Sequence, residues 1–262
     1  QDKDGYLNTF FTIKDTEKRW TNLLEGHELY CSGHLIEAAC TYYEATGKRK
    51  LLDIAVKNAE CIYDRFVMQN TEGIPGHPEI ELALLRLYRL TENKHFLELA
   101  KKFINERGKA PDFWAREAKK RSWSVWNSDP WGNDYRQSAK PVREQTEAVG
   151  HAVRAVYLYT GMADLAETED KELFAACRRL WENIVHRKMY ITGGIGSTVQ
   201  GEAFTVDYDL PPDTAYSETC AAIGLIFFAE KMLENEINGE YGDVMELVFY
   251  NTVLAGMQLD GK

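Results

Sequence analysis

Repeated helical pairing is the feature that most limits how this chain can fold. Three stretches open on Gly-His and continue as two helices in a row: "GHLIEAACTYYEATGKRKLLDIAVKNA" from Gly33, "GHPEIELALLRLYRLTENKHFLELAKKF" from Gly76 and "GHAVRAVYLYTGMADLAETEDKELFAACRRL" from Gly150. In each, the first helix is expected to end at a threonine followed by a glycine or a polar residue, and the second begins around a leucine. Cys220 to Met257 reads as a fourth, more degenerate copy. The period inside the helices is plain: from Leu51 to Phe66, apolar residues fall at 51, 54, 55, 59, 62 and 66, one stripe on a 3.6-residue helix. The first helix of each pair is apolar on most sides, as in "LALLRLY" and "AIGLIFF", so it is covered on both flanks. The second carries more Lys, Arg and Glu and faces water. Inner helices lined by outer helices make an α/α-toroid or a solenoid. Four pairs do not close a six-pair ring, so a toroid would be incomplete in this chain.

The 262 residues are 44% hydrophobic, enough for a substantial core. No apolar run approaches the roughly 18–20 residues that cross a bilayer. The net charge of −10 argues against a nucleic-acid partner, because phosphate backbones are gripped by Lys and Arg. A neutral ligand such as a sugar suits an acidic chain. The five cysteines, Cys31, Cys40, Cys61, Cys177 and Cys220, are odd in number and hold no Cys-x-x-Cys pair. A disulfide framework is therefore not expected, and a reducing, cytoplasmic setting is. No signal peptide is visible, although the chain opens on Gln1 rather than Met.

Two long irregular stretches interrupt the repeats, Asp112 to Gln145 and Tyr190 to Glu218. Loops of that length in a packed domain are commonly binding or lid segments. In the second, "YDLPPDTAYSETC" sets Glu218 two residues from Cys220. Such a pair shares one metal only where the chain is extended or just entering a helix. Pro211 and Pro212 favour extended backbone, and Ser217 is the expected N-cap. A thiolate and a carboxylate both bind zinc, which takes four ligands. Equally, Cys220 can be helix packing, with Glu218 complementing the helix dipole.

Glu202, in "GGIGSTVQGEAF", sits between a Gly-rich turn and Ala203–Phe204. Desolvation there would suit a general acid, and a solvated loop carboxylate is the alternative. The glycines lack the Gly-Lys-Ser/Thr of a phosphate loop. His34, His77 and His151 each follow a glycine at the expected start of an inner helix, where they would reach a ligand or be satisfied in the core. His27, Cys31 and His34 share one helical face by spacing. Trp123, Trp126 and Trp131, with Asp129 and Asp134, form a sugar-stacking surface or pin their loop by burying indole.

Taken together, "GHELYCSGHLIEAACTYYEATGKRKLLDIA", "GHPEIELALLRLYRLT", "PVREQTEAVGHAVRAVYLYTGMADLA", "RKMYITGGIGS…GEAF…YDLPPDTAYSETCAAIG" and "DVMELVFYNTVLAGMQLDGK" resemble glycoside hydrolase family 127, the β-L-arabinofuranosidases. The resemblance runs in order over nearly the whole chain. It implies an (α/α)6 barrel followed by β-sandwich domains, with residues 1–262 forming part of a single catalytic domain and the remainder absent. It implies a retaining exo-hydrolase that releases terminal β-L-arabinofuranose from plant-type glycans. It further implies zinc held by three cysteines and one glutamate, with one of those cysteines as the nucleophile. By position, Glu218 and Cys220 would be two of the ligands and Glu202 the general acid/base. His27, His77 and His151 fall where family members contact the sugar, and His34 has no such match. The Cys-Cys stretch that should carry the nucleophile is expected beyond Lys262, so this chain alone is expected to be inactive. Expected partners are a carbohydrate and a second copy in a homodimer, with no nucleic acid and no membrane. Rival readings are a non-catalytic helical scaffold and a metal-free toroid enzyme such as a sugar epimerase or glucuronyl hydrolase.

Overall fold

Where a helix can end cheaply, this chain turns back on itself. Gly47, at φ 69°, takes the left-handed conformation that closes a helix without a Cβ penalty, and its N–H reaches the Tyr43 carbonyl at 2.7 Å. The computed structural model describes residues 1–127, 129–167 and 170–261. It is helical, and among the described residues no strand forms; no helix there is long and apolar enough to cross a membrane. The chain divides into two units, Gln1–Pro130 and Trp131–Lys262.

The first unit holds α1 (Thr9–Ile13), α2 (Glu28–Thr46), α3 (Lys50–Tyr63), α4 (Ile80–Thr91), α5 (Lys94–Glu106) and α6 (Phe113–Lys120). α2 pairs with α3 and α4 with α5, and the two first helices pack on each other. Gly33 lies at that crossing: a Cβ there would stand 2.6 Å from Glu79 Cγ and 2.9 Å from the Ile80 backbone. Asn93 starts α5 by accepting the His95 N–H at 3.1 Å. Along α5, Phe96, Leu99, Ala100, Phe103 and Ile104 are buried, one stripe of an outer helix.

The second unit holds α7 (Ala152–Ala166), α8 (Lys171–Asn183), α9 (Thr219–Asn235) and α10 (Gly239–Val248). Every residue of α7 is buried, whereas α8 buries one face, which is the inner and outer pattern expected of the pair. α7 packs closely on α9, and Gly224 permits it, since a Cβ would lie 2.4 Å from Val156 Cγ2. The second helices α3, α8 and α10 each run on into a five-residue π-turn, at Asp64–Met68, Ile184–Lys188 and Phe249–Val253. This shared ending is a structural echo of the repeat. The all-α hairpin organisation is that of an (α/α)-barrel fold, as expected from sequence.

Several local expectations need correction. Gly33 and His34 lie within α2 rather than at its start. Thr160 and Gly161, taken as a helix end, sit inside α7, where the Thr160 hydroxyl donates to the Val156 carbonyl at 2.7 Å instead of stopping the helix. Ser217 does not cap α9; Glu218 occupies that position, in extended backbone. The supposed loop after Asp112 contains α6, which buries Phe113 and Trp114.

Candidate active site

In the second unit the start of α7 organises a polar cluster. The first N–H groups of a helix lack intrahelical partners. Here the Ala152 N–H donates to the Glu202 carbonyl at 2.9 Å, and the Phe204 N–H donates to the Gly150 carbonyl at 2.9 Å. The loop carrying Glu202 is thereby pinned to the helix end. His151 is the N-cap of α7, and its Nδ1 accepts the Arg154 N–H at 3.3 Å. A ring nitrogen that accepts carries no proton, so the neutral ring bears its hydrogen on Nε2. That Nε2–H donates to Glu202 Oε2 at 3.0 Å. The other carboxylate oxygen, Oε1, accepts the Tyr216 hydroxyl at 3.0 Å. This hydrogen bond to a carboxylate pushes the Tyr216 phenol up to about 12, helped by burial and by the charges of Glu218 and Glu202.

The chain reaches this cluster through strained backbone. Glu202 (φ 53°) and Ser217 (φ 43°) both occupy the left-handed region, which non-glycine residues avoid. Room for Ser217 comes from Gly194, where a Cβ would stand 2.9 Å from the Ser217 side chain. Strain of this kind persists where surrounding contacts over-determine it, often at sites that act. Ser217 then delivers Glu218 in extended backbone and Cys220 in the first turn of α9.

His151, Glu202 and Glu218 each present a ligand atom, all within 4.8 Å of one another. Glu202 keeps 45% of its side-chain surface exposed. Burial, and then the Glu202 charge, lift the Glu218 carboxyl to about 7. Glu218 Oε1 is buried with no hydrogen-bond partner. An orphaned carboxylate oxygen on Glu218 and the exposed Cys220 thiol two residues on are donors of kinds that suit zinc. Cys220 stands outside the three-ligand group; burial and the Glu218 charge raise its thiol. Tyr135 and Trp131 stack at 5.2 Å beside this cluster; Tyr135 meets His151 edge-on at 5.6 Å, and Arg154 lies over the Tyr135 ring at 4.8 Å.

In the first unit a different cluster forms. His27 precedes α2 at φ 54°, and its Nδ1–H donates to the Glu25 carbonyl at 2.8 Å. His77 Nδ1–H donates to the Pro78 carbonyl at 2.7 Å. In both rings that tautomer leaves Nε2 as the acceptor nitrogen. Tyr30 packs against His77 at 4.5 Å and His34 at 4.4 Å, and His27 stands 6.0 Å from His77 and 6.5 Å from Trp126. His34 instead faces the buried Glu79, Nδ1 to Oε1 at 3.1 Å. The His27, Cys31 and His34 face does not gather, because His27 lies ahead of the helix.

Trp123 pins its loop, donating to Thr21 Oγ1 at 2.9 Å and packing on Phe11, while Trp126 and Trp131 remain exposed. Tyr216, Tyr135 and Arg154 were not singled out by sequence. Only the position of Tyr216, two residues ahead of Glu218, hinted at it.

Comparison with known proteins follows the same lines. Residues 1–262 match the family described as β-L-arabinofuranosidase, GH127 catalytic domain. A non-reducing end β-L-arabinofuranosidase of Bifidobacterium longum subsp. longum is 44% identical over 276 residues, covering 100% of this chain and 41% of that protein. A solved GH127 β-L-arabinofuranosidase from Geobacillus stearothermophilus T6 is 52% identical with a TM-score of 0.93, covering 100% of this chain and 42% of the other. A second solved GH127 β-arabinofuranosidase is 42% identical with a TM-score of 0.87, covering 100% and 40%. This chain thus spans about two-fifths of the length of such relatives.

Proposed function

Because this chain belongs to the GH127 β-L-arabinofuranosidase catalytic-domain family, we propose that it is the N-terminal and central part of the catalytic domain of a retaining glycosidase acting on terminal β-L-arabinofuranosides. The observation that carries this reading is Glu202, with each carboxylate oxygen held by its own donor, one from His151 and one from Tyr216. In a retaining reaction one group attacks the anomeric carbon. Another protonates the leaving oxygen and then takes a proton from water. Glu202 is assigned the second role. His151 and Tyr216 fix the plane of its carboxyl through both half-reactions, so that one oxygen meets the glycosidic oxygen and later the water.

Glu218 and Cys220 would hold zinc, and the nucleophilic cysteine and remaining ligands are assigned to residues outside these 262. Zinc, when bound, supplies the charge that keeps a cysteine as its thiolate at neutral pH. The orphaned Glu218 Oε1 supports a metal at this end of the cluster. His27 and His77, whose Nε2 atoms are acceptors, are assigned to sugar hydroxyls.

The test is the full-length polypeptide assayed on a chromogenic β-L-arabinofuranoside with zinc and a thiol reductant. Glu202→Ala is expected to lose about 10²–10⁴-fold in turnover, the usual worth of a general acid/base, with its zinc content unchanged. Turnover equal to wild type would remove Glu202 from the mechanism.

A further inference from the structure

Trp131 is the one aromatic of the loop after α6 that stands in the second unit's acid/base region and has no part in the chemistry assigned above. Its indole stacks on the Tyr135 ring, with centroids 5.2 Å apart and planes 22° from parallel. The Arg154 guanidinium lies 4.8 Å from the centre of that Tyr135 ring, and His151 meets the ring edge-on at 5.6 Å. Arg154 is 3% exposed and belongs to the first turn of α7, so the stack is rooted in the core. Trp131 nevertheless leaves 41% of its surface to solvent. An indole fixed by stacking and still this open presents a rigid apolar plane that a ligand can cover.

Gly201 sets that plane beside the acid/base residue. A Cβ on Gly201 would stand 3.1 Å from Trp131 Cζ3, 3.2 Å from Trp131 Cη2 and 3.0 Å from Tyr135 Cε2. The two rings therefore press on the backbone immediately ahead of Glu202. The Glu202 carboxyl is 45% exposed and is held by His151 and Tyr216. A general acid must reach the oxygen that joins the departing group to the terminal sugar. The departing group thus passes on the Glu202 side, where Trp131 stands. A sugar ring has a face of C–H groups that packs on an aromatic plane while its hydroxyls stay in water. A methyl group has no such face and covers little of an indole.

We infer that the Trp131–Tyr135 stack is the platform for the leaving-group sugar, and that it sets a preference for a ring over a small aglycone. This inference rests on the proposed activity with Glu202 as its acid.

The experiment compares two substrates of the full-length polypeptide: a disaccharide ending in β-L-arabinofuranose, and methyl β-L-arabinofuranoside. Trp131→Ala is expected to lower kcat/KM about tenfold on the disaccharide and to leave the methyl glycoside within about twofold. Trp131→Phe keeps a stacking ring and should recover most of the loss. The methyl glycoside reports whether Glu202 and its partners are still in place. Equal losses on both substrates would make Trp131 a support for the Glu202 loop and overturn the platform. Unchanged turnover of the disaccharide would overturn it too, while leaving the proposed activity standing. Binding is read separately in full-length Glu202→Gln, where the disaccharide should change tryptophan fluorescence saturably and adding Trp131→Phe should remove most of that change. A wild-type protein that hydrolyses neither substrate would remove the proposed activity, and the fluorescence change would still decide the platform: a signal indifferent to Trp131→Phe overturns it.

Discussion

Two histidine-bearing regions use the same ring in opposite ways. In the second unit His151 accepts a backbone N–H at Nδ1 and donates from Nε2 to Glu202. In the first unit His27 and His77 donate from Nδ1 to backbone carbonyls, which leaves Nε2 as the acceptor. The backbone beside each ring sets this choice. His151 caps a helix, where orphan N–H groups are in excess. His27 and His77 lie next to carbonyls of irregular segments that need donors. One region therefore offers a proton-bearing network with two carboxylates, and the other offers acceptors framed by aromatic rings. The first suits proton transfer, and the second suits recognition of hydroxyl groups.

The largest expected effect breaks the first region. In the full-length polypeptide, His151→Ala removes the donor on Glu202 Oε2 and should lower kcat by about 100-fold, with KM changed little, because the bond matters most while the carboxyl exchanges its proton. A variant that raised KM and left kcat intact would place His151 with His27 and His77 and erase the contrast.

His77→Ala sharpens the contrast from the other side. It should raise KM for an arabinofuranoside by roughly tenfold with kcat nearly unchanged, the signature of lost uniform binding. Measuring both parameters over one substrate series separates the outcomes. A fall in kcat matching that of His151→Ala would show that the tautomers do not divide the labour.

Much of this was legible in sequence, and the residues show why. The hairpins follow from apolar period and from Gly47, whose left-handed φ ends a helix by itself. Thr160-Gly161 carries the same two letters inside α7, because the close fit of α7 to α9 outweighs a weak local stop signal. Glu202 and Glu218 stood out as carboxylates in an unusual loop. How far burial acts on Glu218 depends on how the loop folds over Ser217, and nothing local encodes that. Tyr216 was missed because a tyrosine in a long loop has many possible partners. Its bond to Glu202 joins residues fourteen apart with no regular element between them. The tautomers were out of reach for the same reason, since they are set by carbonyls and N–H groups placed by the fold.

The smallest expected effect is on stability, and it tests whether the first unit also contains a working acid. Glu79 is 3% exposed and faces His34, and burial, followed by the charges of Glu37 and Glu81, raises its carboxyl to about 9. Burial also lowers His34, so the pair is neutral at pH 7. An acid whose folded pKa is raised gives stability that is complete below the unfolded value near 4.5 and is lost as pH climbs through about 9. Over that window the unfolded chain has released the proton and the folded chain has not, so stability falls with rising pH. Glu79→Gln keeps the shape and a donor for His34 but cannot ionise. Denaturant unfolding should find the variant close to wild type at about pH 5, and more stable by on the order of 2 kcal/mol at about pH 8. A difference independent of pH would mean that Glu79 is ionised in the folded chain. The His34 contact would then be an ion pair, and both units would carry buried charge rather than one acid network and one neutral recognition face.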